Sequence, residues 1–526
     1  MPQEAPHKEP PKSIGGILKE LGPGLIVAAA VVGSGELIAT TATGAQAGFY
    51  LLWLIIIGCI IKVFVQVEIG RFAITSGKTS LEGMQMVPGP RYKKVNWVLA
   101  CWLCMIIATT FQMGGIVGGV GQSLAMSIPI SETGKQYNQL MSEKTMLVIT
   151  GHKAEHDLKA LDPADKTKHE KIEELKLLQA KLSTDKEKFE SEEFRSRIAK
   201  LQANNHDDVY WCIIITIITI IMLVKGGYGF IATFVTVLIG CFTLATVLNL
   251  IILQTKAEWA IPLSSIIEGL KFQLPPEIGK LKPLETALST FGIIGVAAGE
   301  LVFYPYWCQE AGYAKFVGPK DDSEEWAARA NGWMKVLRWD AWCSLVVYTL
   351  STIVFYLLGA GILYKIGLLP EKNDMVRTLG LMYVPVFGEW AQWVFLFGAF
   401  AVLFSTFFVG NASKARVVAD SLNVFGLKEN KEKSNTFWTK FFCALLPVLC
   451  VIIYSTFKSP TSLVLLGGLL NALMLPVMAI SALYFRYRCS DPRVQPGKLW
   501  DVFLGLSALG LMGSGIYTAV LQVMSF

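Results

Sequence analysis

The chain has 526 residues, 53% of them hydrophobic, with a mean hydropathy of +0.47. A soluble domain stays at about 45–50% apolar residues and carries no recurring long uncharged runs. The net charge of +6 does not indicate nucleic acid, because Lys and Arg gather in short loops between apolar runs, as they do beside a bilayer.

The first twenty residues are polar and include four prolines. They lack the short apolar core and cleavage site of a secretory signal, so a cytoplasmic tail over 1–22 is expected. Eleven spans follow, near 23–46, 50–73, 96–128, 210–224, 228–253, 287–312, 336–364, 388–411, 438–457, 460–485 and 500–524. Most are at or near the length that crosses a bilayer as helix. The predicted class is all-α and polytopic, with spans 1–3 in 23–130 and spans 4–11 in 209–526. With the amino terminus placed inside, that tail and the inner loops together carry roughly 24 Lys and Arg against roughly 8 in the short outer loops. That predicts an inner-membrane protein with its carboxyl terminus outside.

Residues 131–208 interrupt this pattern. They are rich in Lys and Glu, and 168–202 read as one or two exposed helices with an intermittent apolar stripe. By topology they lie outside, as a solvated helical hairpin; binding of a partner is the alternative. His152 and His156 share i,i+4 spacing, and Cys101 and Cys104 share CxxC spacing inside a span. Neither has the further ligands a metal site needs. No phosphate-binding loop occurs, so ATP-driven transport is not expected.

Two carboxylates sit in the middle of otherwise apolar spans. Glu36 follows Gly33, Ser34 and Gly35 in span 1, and Glu300 follows Ala297, Ala298 and Gly299 in span 6. A charge there costs at least a few kcal/mol unless it faces a cavity or a partner. Glycine weakens the helix at the same point and frees backbone carbonyls. Gly35-Glu36-Leu37-Ile38 is echoed 264 positions later by Gly299-Glu300-Leu301-Val302, and Ala47-Gly48-Phe49 by Ala311-Gly312-Tyr313. Paired interrupted helices in two halves point to a transporter's substrate site. Thr110, Gln112, Asn411 and Asn471 are the supporting polar candidates. Lys62 and Glu68 in span 2 are expected to pair or snorkel, with Glu68 and Arg71 as a salt bridge. Asp340, beside Arg338, is expected to mark the start of span 7.

These motifs carry a family resemblance. GPGLIVAAAVVGSGELIATTATGAQAGF (22–49) resembles the first span of the Nramp metal-ion transporters, and RFAITSGKTSLEG (71–83) resembles their segment after span 2. GIIGVAAGEL (292–301), the polar stretch around Asp340, and Leu475-Pro476 fit the same plan. The resemblance implies a LeuT-type fold, a 5+5 inverted repeat with interrupted helices 1 and 6, and alternating access. The departures fall on the ligands. The family's Asp-Pro-Gly-Asn is replaced by Gly33, Ser34, Gly35 and Glu36, and its Met-Pro-His by Ala298, Gly299 and Glu300. The span-3 acidic pair is absent around 110–113.

The expected function is secondary transport of a divalent cation, not enzymatic catalysis. Glu36 and Glu300 would be the metal ligands, completed by Ser34 and by carbonyls near Gly33 and Ala297. Loss of the thioether and imidazole favours hard ions, Mg²⁺ or Mn²⁺. Proton coupling is expected to be weak or absent. Two alternatives stay open: a carrier whose carboxylates bind a coupling ion or an organic cation, and a receptor or scaffold on a transporter fold. No cofactor besides the transported ion, no partner besides ion and bilayer, and a monomeric state are expected.

Overall fold

The computed structural model describes residues 8–159, 191–276, 283–370, 375–387, 390–427 and 432–524, with scattered positions between 173 and 189. Among them, eleven helices are long and apolar enough to cross a membrane: Pro23–Ala47, Leu52–Ser76, Trp97–Ser127, Glu192–Lys225, Tyr228–Leu253, Pro283–Glu310, Glu324–Ile366, Trp393–Val424, Asn435–Phe457, Pro460–Cys489 and Lys498–Leu521. They are spans 1 to 11. Each predicted span has its helix, and the protein is an integral multi-pass membrane protein.

Spans 1 and 6 are the most buried of the bundle, and both are broken. Span 1 runs as an α-helix over Pro23–Val31, breaks at Gly33, and resumes with a π-helical turn over Ser34–Thr40 that continues as Thr41–Ala47. Span 6 runs over Pro283–Ile293, breaks through 294–297, and resumes over Ala298–Glu310. The two second halves end alike: Gly48 and Gly312, at equivalent positions of the repeat, have φ of +56° and +90°. Such backbone is open to glycine and strained for other residues. Thr43 of span 1 meets Thr290 of span 6 hydroxyl to hydroxyl at 2.7 Å, which fastens one repeat to the other deep in the core.

Spans 7 and 8 extend beyond their predicted limits. The helix of span 7 begins at Glu324, capped by Ser323, so Asp340 lies in its buried middle and not at its start. The helix of span 8 continues to Val424, which takes Lys414 out of the predicted loop and into the bundle at 1% exposure. Both extensions are polar enough for hydropathy to end the span early, yet each continues as unbroken helix against protein. The tail packs on the span-7 extension, where the Trp333 indole donates to the Lys8 carbonyl at 3.0 Å.

The insertion, expected to be helical, opens with a helix over Glu132–Lys159, ahead of the 168–202 stretch in which helices are expected, and closes with Glu192–Asn204. These helices pack on one another. The insertion is also tied to the bundle: Arg377 donates to Ser142 at 2.9 Å and to Asn138 at 3.0 Å, and Asn138 donates to the Ala125 carbonyl at the end of span 3. Part of the predicted stripe, including Leu175, and the side chains of His152 and His156 lie outside the described residues. Among the described residues no group of three or more His, Cys, Asp and Glu is placed to hold a metal.

Candidate substrate site at the two helix breaks

The breaks touch. A Cβ on Gly35 would stand 3.0 Å from the Ile293 carbonyl oxygen, and one on Gly33 would overlap the Thr406 hydroxyl. Glycine at both positions therefore lets span 1 close onto spans 6 and 8. Glu36 and Glu300 occupy the same place in their repeats, the third residue of the half-helix that follows the break. There the unpaired N–H groups of a helix N-terminus favour a negative charge.

The two carboxylates differ in their surroundings. Glu36 is fully buried; one oxygen accepts from the Gly33 N–H at 3.2 Å and the other from the Thr352 hydroxyl at 3.0 Å. Glu300 is half-buried, and among the described residues no side chain donates to it. One carboxylate is held within the protein, and the other is left open.

The carbonyls expected to complete a cage are otherwise engaged. Those of Gly33 and Ala297 each accept from the first turn of the following half-helix, from Leu37 N at 2.8 Å and Leu301 N at 3.0 Å. The exposed carbonyl ends of the two first halves also have partners. Thr406 donates to the Ala29 carbonyl at 3.3 Å, and Lys62 donates to those of Phe291 at 2.5 Å and Ile294 at 2.6 Å. A helix C-terminus buried in a bilayer needs such partners, because no water reaches it. Lys62 pairs with these carbonyls and, among the described residues, forms no salt bridge; it caps the first half of span 6 and also lies within electrostatic reach of both Glu36 and Glu300.

Of the supporting candidates, two join the site and two do not. Asn471 accepts from the Gly299 N–H at 3.3 Å and donates to Gln112 at 3.2 Å, linking span 10 and span 3 to the break in span 6. Gly299 itself faces Thr109 of span 3. Thr110 and Asn411 turn back onto their own helices, donating to the Ile106 and Phe407 carbonyls. Side chains inside a helix reach the carbonyl four residues back unless something better is near. Ala298 is fully buried, and the Ser34 side chain is outside the described set. Glu68 and Arg71 form the expected salt bridge at 3.2 Å, completed by the Trp500 indole on Glu68.

Two residues near the breaks, Tyr348 and Lys414, escaped sequence reasoning, and Asp340 has a different role from the one expected. The Tyr348 ring packs beside Gly295, and its buried hydroxyl has no partner among the described residues. Lys414 likewise buries an ammonium without a hydrogen-bond partner. Asp340 accepts from Gly22 N at 3.0 Å, Gly24 N at 2.5 Å and the Tyr304 hydroxyl at 3.0 Å, and so anchors the start of span 1. A lysine in an apolar run was the available signal for Lys62; for Lys414 it was masked by the neighbouring Arg416.

A bundle with two broken, pseudo-equivalent helices meeting at its centre is the LeuT-type 5+5 inverted-repeat architecture of membrane transporters. The family model described as natural resistance-associated macrophage protein-like matches residues 24–135 and 200–521. The chain belongs to this Nramp family, and most of the insertion lies outside the match. No curated protein matches the sequence. Among solved structures, it is similar to the Eremococcus coleocola manganese transporter in complex with an aromatic bis-isothiourea substituted compound, at 14% identity and a TM-score of 0.60, over 98% of this chain and 90% of that one. A mutant of the same transporter gives 13% and 0.59 over the same shares.

Proposed function

We propose that this protein is a secondary transporter of divalent cations working by alternating access, with Mg²⁺ or Mn²⁺ as its cargo. The observation that carries the proposal is the matched placement of Glu36 and Glu300, each on the third residue after a break, at two breaks that meet where Gly35 lies against Ile293. Membership of the Nramp family and the fold shared with a manganese transporter support it. The breaks offer oxygen donors in Glu300, in Glu36 once released from Gly33 and Thr352, and in the side-chain carbonyls of Asn471 and Gln112, with Cys59, packed against Gly295, as a softer neighbour. Oxygen donors select hard cations. We further propose that the amino terminus is cytoplasmic, that the insertion faces outside, and that the chain works as a monomer without a resident cofactor.

One observation favours a second reading. Lys62 and Lys414 bring two ammonium groups to the two carboxylates, and that balance suits an organic or zwitterionic solute as well as a metal ion. Competition in a proteoliposome uptake assay separates the two. Inhibition of Mn²⁺ uptake by millimolar Mg²⁺ is expected. Strong inhibition by micromolar Cd²⁺ with none by Mg²⁺ would refute a hard-ion site, and no response to any divalent cation would leave the second reading.

A further inference from the structure

We propose that Lys414 is a tethered counter-cation for Glu300, which neutralises the empty site and lets the unloaded carrier return without a coupling ion. This rests on the divalent-cation reading above.

The ammonium of Lys414 is buried on span 8 at 1% exposure, and its nitrogen has no hydrogen-bond partner among the described residues. Burying an unpaired ammonium costs several kcal/mol, so its position demands an opposite charge. The other acidic groups along this part of the bundle are already engaged. Glu310 pairs with Arg416. Asp420 accepts from the Tyr306 hydroxyl at 2.6 Å, and Asp208 from the Tyr454 hydroxyl at 2.5 Å. Glu36 is held by Gly33 and Thr352. Among the described residues, the groups within electrostatic reach of Lys414 are Cys450 on span 9 and, as its carboxylate, Glu300 on span 6. The other buried ammonium cannot serve in its place, because Lys62 is spent on two span-6 carbonyls.

Lys414 and Glu300 form no ion pair within 4.0 Å. The half-helix that carries Glu300 packs on the span-8 helix, joined to it by the Trp307 indole on Ser413 and by the Glu310–Arg416 pair, on either side of Lys414 in the sequence. The arriving ion takes over the charge balance that Lys414 supplies in the empty state. A carrier with two bare carboxylates in its closed empty form would pay for their burial at every return, or would need a proton or second ion to cancel them. Two carboxylates against two lysines leave the empty site neutral. This also accounts for the missing histidine and span-3 acids: the return step has no need of a titrating group.

The test uses full-length protein in proteoliposomes, with Mn²⁺ as the probe. Lys414→Met keeps the stem of the side chain and removes the charge. Its half-saturating Mn²⁺ concentration is expected to fall by about tenfold or more, since a unit charge near a buried site is worth at least that much. Net uptake into ion-free vesicles is expected to slow, while counterflow exchange, which needs no empty return, is spared. A purely structural role would lower both fluxes together, and that outcome, or an unchanged half-saturation, overturns the proposal. A second measurement does not depend on what is carried. In a cycle of thermal midpoints, Glu300→Gln and Lys414→Met are each expected to destabilise, and the double variant to recover most of the loss. Additive losses would refute the pairing. If no divalent cation moves through the wild type, the functional proposal fails while this cycle still tests Lys414.

Discussion

Asp340 holds the first half of span 1 in place, and its removal gives a prediction that can be worked from the structure. Its two oxygens accept from the backbone N–H groups of Gly22 and Gly24, at the open N-terminus of the Pro23–Val31 helix, and from the Tyr304 hydroxyl. Asp340→Ala strands these donors in a site only 1% exposed. A buried donor left unpaired costs about 1–3 kcal/mol, and hydrogen bonds to a charged group fall at the upper end. Allowing that Tyr304 finds another acceptor, the two N–H groups alone imply roughly 2–6 kcal/mol. The helix N-terminus also loses the charge that complements its dipole. Relief of the buried carboxylate offsets part of this, so a clear net destabilisation is expected, not the full sum. The assay is the apparent thermal midpoint in one detergent, followed by loss of the monodisperse peak, with Asp322→Ala at an exposed position as control. Gly24→Ala is an independent probe of the same contact, because its Cβ would stand 2.6 Å from the Asp340 carbonyl oxygen. If Asp340→Ala melts within a degree of the control, the assignment of Asp340 as the anchor of span 1 is wrong.

Glu36→Gln and Glu300→Gln are each expected to abolish divalent-cation uptake in proteoliposomes; wild-type rates in either would remove the central claim of the functional proposal. A cysteine at the exposed Ser196 is expected to react with an impermeant maleimide in intact spheroplasts, and labelling only after lysis would invert the topology. Arg493 and Lys320 hold the Asp491 carboxyl well below the usual carboxylate range. The stability this gives is present above the ordinary carboxyl pKa and is lost as pH falls through the lower folded value. Asp491→Asn should therefore lower the thermal midpoint at pH 7 and progressively less as the pH is taken below about 4, and an equal effect at both ends would count against the pairing.

The eleven spans, the pairing of Glu36 with Glu300 and the internal repeat are all legible in the residues themselves. Each is a local signal: a run of apolar side chains long enough for the bilayer, a carboxylate where none is cheap, a glycine pattern recurring at a fixed offset. The boundaries of spans 7 and 8 were not legible, because their polar extensions are helices stabilised by protein contact where hydropathy ends. The fate of the buried charges was hidden for a related reason. Lys62 caps carbonyls 229 and 232 positions away, and Asp340 receives N–H groups 318 and 316 positions before it. A lysine in an apolar run announces only that it needs a partner. Which partner it finds depends on how the two repeats cross. That crossing fixes Lys62 as a helix cap, closes Glu36 onto Gly33 and Thr352, turns Thr110 and Asn411 away, and leaves Glu300 open with Lys414 unpaired nearby. The sequence determined that charge would be buried at the two breaks; tertiary structure decided which charges were already satisfied, because satisfaction inside a membrane is a long-range matter of which helix ends and side chains meet without water.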